Sequence, residues 1–488
     1  MNEDTLSGEA AAARLAAGEP LGQVLDVADP GAWTSLDVGV RAWAWYRPGE
    51  LPDRAWVEGR GQVPRSAGAW GRGLFGLVRQ RPGSGRTEPA HAETAIESRL
   101  ALALCHPDGR TREAALARAA GYPALLPLVV VRSADWAAPV RARARELLTG
   151  RLDVDTAVSL ASLILRIGRR DRGAYGVELL GEVLRQASPR GRLASLFVHP
   201  DRAVRRFAYR LACAEGLLSP GRLARTAAWD DDVVVQTLCA EAALAVVRED
   251  GDHDDVLEPL LAARNPRARS AGVTALRRAG RAGRAREFLV DRSALVRACA
   301  RYVVRQSGTE PLPLYRDLCA DASDPALPPG AAIGLAECGE RADADLLYPL
   351  LTHPAPQVRA RAVAGLRTLE VTDVERLRPL LDDPAPAVVR EATAALLPSA
   401  ALLPDAYLTR RLAPESPRHV RAAAFRLLDA RGGIVRLRAA VGLLDDPDGK
   451  LRTRAARSAA AWYPAAVSAD AEGGELLERA RRLLQSGC

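Results

Sequence analysis

DADLLYPLLT at residues 343–352, followed by HPAPQVRARAVAGL at 353–366, decides the fold. In the first half Leu346, Leu347, Leu350 and Leu351 fall at i, i+1, i+4 and i+5, the spacing of one helix face. The prolines of HPAPQ then break the helix, because proline has no amide to donate and pushes its predecessor out of helical geometry. A helical period resumes with Val358, Ala362, Val363 and Leu366 on one stripe, and the small alanines let a neighbouring helix come close. Two short helices joined by a turn cannot bury their own apolar faces. They need stacked copies of themselves.

Copies follow along the chain: HPDRAVRRFAYRLA at 199–212, SPRHVRAAAFRLL at 416–428 and DPDGKLRTRAARSAA at 446–460. The arginine after the valine serves as a ruler, falling at Arg112, Arg141, Arg205, Arg269, Arg297, Arg359, Arg390, Arg421 and Arg452. Arg172, Gln236 and Gly330 are weaker matches that fill the gaps. Neighbouring marks lie 28 to 33 residues apart, which predicts an all-α solenoid of about twelve two-helix units over residues 96–465.

The form D/H/N-P-x-x-x-V-R-x-x-A-x-x-A-L with a period near 31 residues resembles HEAT repeats, in particular the short phycobilisome-lyase-like (PBS lyase) class. The resemblance implies a HEAT/armadillo-like superhelix in which the recurring arginine and an aspartate near the turn form a hydrogen-bonded ladder between repeats. Asp324, Asp383 and Asp446 would be its acceptors, and the ladder is expected to break at Gln236 and at Gly330, where PALPPGAAIGL has lost the arginine. His106, His199 and His353 occupy the slot before the turn proline that aspartate fills elsewhere, so they read as turn and capping residues rather than metal ligands.

Composition narrows the function classes. Of 68 basic residues Lys450 is the only lysine, an imprint of a GC-rich bacterial genome, so the net charge of +8 over 488 residues is a weak sign of nucleic-acid binding. Seven scattered cysteines without a CxxC pair indicate neither a zinc site nor a disulfide framework. The start MNEDTLSGEAAAARLAAGE lacks the basic and apolar regions of a signal peptide, and the longest apolar stretch, Leu125 to Val131, is too short to span a bilayer. A cytoplasmic location away from membranes is expected. No P-loop, GxSxG, HExxH or dinucleotide fingerprint appears, and the acidic run Glu249 to Asp255 lacks EF-hand spacing. Hence no catalytic residue, metal or cofactor is expected.

Residues 1–95 differ from the array and hold five of the eight tryptophans, Trp33, Trp43, Trp45, Trp56 and Trp70. DVGVRAWAWY at 37–46 reads as a helix, and the glycine- and arginine-rich stretch at 60–86 as a loop. This region reads either as a cap over the open end of the solenoid or as a partner-binding arm using Trp70, Leu74 and Phe75. Residues 466–488 read as a capping helix.

Arginines crowd the second helices, which in HEAT-type stacks line the concave face. Arg206, Arg210, Arg301, Arg361, Arg454 and Arg457 are the candidates for a basic groove that binds an acidic partner. The expected function is a non-enzymatic scaffold or adaptor for another protein. The alternatives are nucleic-acid binding, including the HEAT-like DNA glycosylases, and a lyase-like activity on a chromophore-bearing protein. Oligomeric state is left open.

Overall fold

The structure, a computed structural model, describes residues 3–60, 89–186, 189–249, 251–461 and 471–486. Among these every regular element is a helix. The fold is an all-α solenoid of stacked two-helix repeats. The chain divides into two compact units, residues 1–219 with 230–239, and residues 220–229 with 240–488.

The first unit opens with a helical hairpin, Glu3–Ala16 and Pro30–Tyr46, so the helix expected at 37–46 begins earlier, capped by Asp29. The two helices touch backbone to backbone: a Cβ on Gly8 would lie 2.0 Å from the Ser35 carbonyl oxygen, an approach open only to glycine. Glu3–Ala16 packs on Pro89–Leu104, and Pro30–Tyr46 lies against Leu126–Arg132 and Val154–Ile167, the first helices of the second and third repeats. Trp33 is buried and donates its indole N–H to the Val27 carbonyl at 3.0 Å. Trp56 is buried with the guanidinium groups of Arg99 and Arg118 over its ring. Trp45, by contrast, is 85% exposed.

In the second unit the helices Pro329–Cys338, Pro356–Thr368, Pro386–Leu396 and Arg418–Arg431 stack each on the next. Val358, Ala362, Val363 and Leu366 are fully buried, as their stripe requires. The first helix expected over 343–352 is instead a turn of α-helix, Ala344–Leu347, and a turn of 3-10 helix, Pro349–Thr352, because Pro349 withdraws a donor from its middle. Gly330 stands where the ruler arginine is missing. A Cβ there would meet the Val290 carbonyl oxygen at 2.0 Å, so backbone contact has displaced the side chain. Ala471–Ser486 packs on Gly433–Gly442 at the end of the unit.

One joint recurs at the turns. The slot residue caps the amide two residues on: Asp135, Asp291, Asp383 and Asp446 accept from the backbone N–H of Ala137, Ser293, Ala385 and Asp448 at 2.7–2.9 Å. Histidine does the same through Nδ1, since His106, His199 and His353 accept from Asp108, Asp201 and Ala355 at 2.9–3.0 Å. With Nδ1 accepting, His353 carries its proton on Nε2, which reaches the Asp324 carbonyl at 3.0 Å. The slot carbonyl in turn accepts from the side chain six residues later: Arg112, Arg141, Arg205, Arg297 and Arg359 reach His106, Asp135, His199, Asp291 and His353 at 2.7–2.9 Å.

Arginines of the ruler also link one repeat to the next. Arg112 grips Asp135 with Nε and Nη2 at 3.0 and 2.9 Å, Arg269 grips Asp291 at 2.7 and 2.8 Å, and Arg359 grips Asp383 at 2.8 Å through both nitrogens. Arg421 pairs with Asp446. The ladder implied by the HEAT resemblance is therefore present at Asp383 and Asp446. Asp324 corrects the expectation: it caps Ala326 at 2.8 Å and has no ion pair among the described residues, because Gly330 has no side chain to reach its carbonyl and Arg297 turns instead to Glu337. Gln236 keeps half of the joint, its amide reaching the Asp230 carbonyl, while Arg205 stands 3.9 Å from the Asp230 carboxylate.

These joints predict the acid limit of the fold. Burial alone would raise the carboxyls of Asp135, Asp291 and Asp383, but hydrogen bonds from Arg112, Arg269 and Arg359 outweigh it and hold them below the ordinary range. A carboxyl with a depressed folded pKa stabilises the fold above its unfolded value, about 3.9, and loses that contribution as pH falls further. Burial also lowers the pKa of neutral His106, which adds a smaller loss below about pH 6.5. Thermal unfolding followed by circular dichroism is expected to show a shallow decline in Tm from pH 7 to 5 and a steep one below about pH 4. A Tm unchanged down to pH 2 would contradict the joints.

Candidate functional site

The second helices Pro386–Leu396, Arg418–Arg431 and Gly449–Ala460 present side chains around a pocket of about 470 Å³. The first contributes Pro386, Val389, Arg390 and Thr393, spaced i, i+3, i+4, i+7 along one face. The second contributes Arg418, His419, Ala422, Ala423 and Arg426, and the third Arg454. The floor is apolar and buried at Val389 and Ala423, and the walls carry four guanidinium groups and an imidazole. No carboxylate lines it.

Arg390 faces this pocket because of a shift in register. At Arg112 and Arg359 the ladder residue sits six positions after the slot, and six after Asp383 is Val389, not Arg390. Val389 is buried at the ladder position, and the arginine one residue later is turned about 100° round the helix, with its side chain 67% exposed. The Asp383 carbonyl, left without its arginine, is met by His419 Nε2 at 3.2 Å. The valine–arginine pattern alone reads Arg390 as a ladder residue. Its offset from Asp383 is the signal that separates it.

Two acids stand at the rim. Arg390 lies 3.4 Å from Glu391, which is also 3.5 Å from Arg367, and Arg418 pairs with Asp448. Asp448 has its own task, capping the amides of Lys450 and Leu451, which with Arg418 holds its carboxyl below the ordinary range. Arg426 and Arg454 have no ion pair among the described residues, and Arg454 rests over the ring of buried Phe425 at 6.0 Å. The rim acids thus serve Arg390 and Arg418, and Glu391 is shared with Arg367, so the pocket keeps an excess of positive charge around Arg426 and Arg454.

The residues expected to line a basic groove separate into three groups. Arg206 and Arg301 are held in ion pairs. Arg206 donates to buried Asp232 at 2.8 Å, and Arg301, with 11% of its side chain exposed, donates at 2.7 Å to Glu337, which it shares with Arg297, so both are tied to acids within the fold. Arg210 is exposed in the first unit; Arg361 is half-buried and Arg457 exposed in the second. Only Arg454 of the six lines the pocket. Trp70, Leu74 and Phe75 lie outside the described residues.

Elsewhere, Asp252 and Asp254 of the acidic run pair with Arg281. Among the described residues no group of three or more His, Cys, Asp or Glu is placed to hold a metal ion. No described helix is long and apolar enough to cross a membrane.

No family model matches the chain, and no curated protein matches it. Solved structures resemble it at low identity. One, concerned with tubulin recruitment and assembly by microtubule polymerases with Tumor Overexpressed Gene domain arrays, aligns at 10% identity and a TM-score of 0.24, over 73% of this chain and 98% of that one. Kap121p aligns at 12% identity and a TM-score of 0.28 over 92% of this chain, and importin beta at 14% and 0.25 over 80%. The chain spans 53% of the Kap121p chain and 60% of the importin beta chain. The fold assignment rests on the helix pairs and joints described above.

Proposed function

We propose that this chain is a non-enzymatic scaffold that holds an acidic segment of another protein against the second helices of its C-terminal unit. The observation that supports this most is the pocket between Arg390, Arg418, Arg426 and Arg454, where four guanidinium groups converge and no carboxylate lines the wall. Arginine carries a planar fork of donors suited to carboxylates, and complementary charge speeds encounter and fixes register. Exposed Arg457 adds a further guanidinium three residues after Arg454 on the same helix. The 31-residue period and the single lysine further support a short lyase-like HEAT protein of a bacterial cytoplasm.

The test is capture from native lysate, with and without nuclease, using wild-type protein and the Arg426→Glu/Arg454→Glu variant. Both side chains lack an ion pair within the described fold, so the variant should keep its circular dichroism and Tm. The expected result is a protein partner that survives nuclease, elutes with salt, and is retained about tenfold less by the variant. A partner held equally by both proteins, or nucleic acid as the sole co-purifying species, would overturn the proposal and, in the second case, favour the nucleic-acid alternative.

A further inference from the structure

We infer that the arginine pocket recognises a phosphorylated side chain, phosphoserine or phosphothreonine, within the partner's acidic segment. This rests on the scaffold reading and specifies what that site selects. Charge balance is the first ground. Glu391, shared with Arg367, and Asp448 offset charge on Arg390 and Arg418 from the rim, which leaves Arg426 and Arg454, without ion pairs among the described residues, carrying +2. A single carboxylate cancels half of that, whereas a phosphate monoester carries about −1.5 to −2 at pH 7 and cancels nearly all of it.

Donor geometry is the second ground. Arg390 and Arg426 project from neighbouring helices and Arg454 from a third, so the donors surround a volume instead of lining a strip. A phosphate offers three acceptor oxygens to donors arriving from several sides, while a carboxylate offers two in one plane. Arg454 is steadied by the Phe425 ring, which lessens the entropy lost on binding. Size is the third. About 470 Å³ is far more than a lone carboxylate fills, and the apolar floor of Val389 and Ala423 suits the carbon stem of a phosphorylated residue and its flanking chain.

Full-length protein is titrated into three fluorescent twelve-residue peptides rich in Asp and Glu, identical except for a central Ser, Glu or phosphoserine, and anisotropy is recorded. The phosphoserine peptide is expected to bind about tenfold more tightly than the Glu peptide, with the Ser peptide weakest. Inorganic phosphate should compete. In Arg426→Gln/Arg454→Gln, which removes the charge but keeps a polar donor on each side chain, the phosphoserine and Glu peptides should become equal. Equal binding of all three by wild type, lost in the double variant, would overturn the phosphate inference and leave the acidic-segment reading standing. Binding of none, or binding untouched by the double variant, would overturn both.

Discussion

Asp135→Ala is expected to destabilise the first unit by about 3–5 kcal/mol, the cost of leaving buried charge without its partner. Asp135 joins more groups than any comparable turn aspartate described above. It takes both nitrogens of Arg112, takes Nη1 of Arg132 at 2.8 Å, and caps Ala137. Arg112 is 0% and Arg132 1% exposed, so neither guanidinium can turn to water when the carboxylate goes. Asp135→Asn keeps the size of the side chain and one acceptor but removes the charge, and its cost should be intermediate. Repeats contact mainly their neighbours, so the loss of hydrogen-exchange protection should centre on residues 89–186 and leave 254–461 nearly unchanged. A uniform loss along the chain, or a cost under about 1 kcal/mol, would contradict this account of the joint.

Asp37→Ala should have a comparable effect at a different place. Asp37 is 3% exposed on Pro30–Tyr46 and pairs with Arg132, with Arg41 at 3.1 Å and with Arg170 at 3.9 Å. It is the electrostatic tie between the N-terminal hairpin and the first repeats, and its removal strands Arg132 on one side. Protection should fall in Pro30–Tyr46 and Leu126–Arg132, and limited proteolysis should cut within residues 3–60 sooner. Adding Arg132→Met removes the stranded charge while keeping much of the volume, so it should recover part of the loss. If Asp37→Ala left proteolysis and exchange unchanged, the hairpin would be held by apolar packing alone.

The legible part of the fold is the part that repeats. Valine, arginine and alanine recur at one phase of most second helices, so the repeats could be counted from positions such as Arg112, Arg269 and Arg359, and the capping role of His353 followed from the aspartate that fills its slot elsewhere. What escaped the pattern depends on packing between helices distant in sequence. Asp232 lies 26 residues from Arg206, and Glu337 lies 36 from Arg301, and nothing local shows that these acids are the partners. Asp37 looked like the start of a helix, because two of its three arginine partners, Arg132 and Arg170, come from other elements. The hairpin at Gly8 was hidden by an alanine-rich stretch that carries no ruler. Arg390 was the near miss: one residue of register separates a ladder side chain from a pocket side chain, and only counting from Asp383 tells them apart.

We propose that the partner is seated on the arginine-lined second helices of the C-terminal unit. Hydrogen–deuterium exchange of the full chain, free and in complex with its captured partner, tests it most directly, because it locates the contact without altering any side chain. New protection is predicted in Pro386–Leu396, Arg418–Arg431 and Gly449–Ala460, with residues 3–186 unchanged. Protection confined to residues 3–186, with those three helices exchanging as in the free protein, would contradict it.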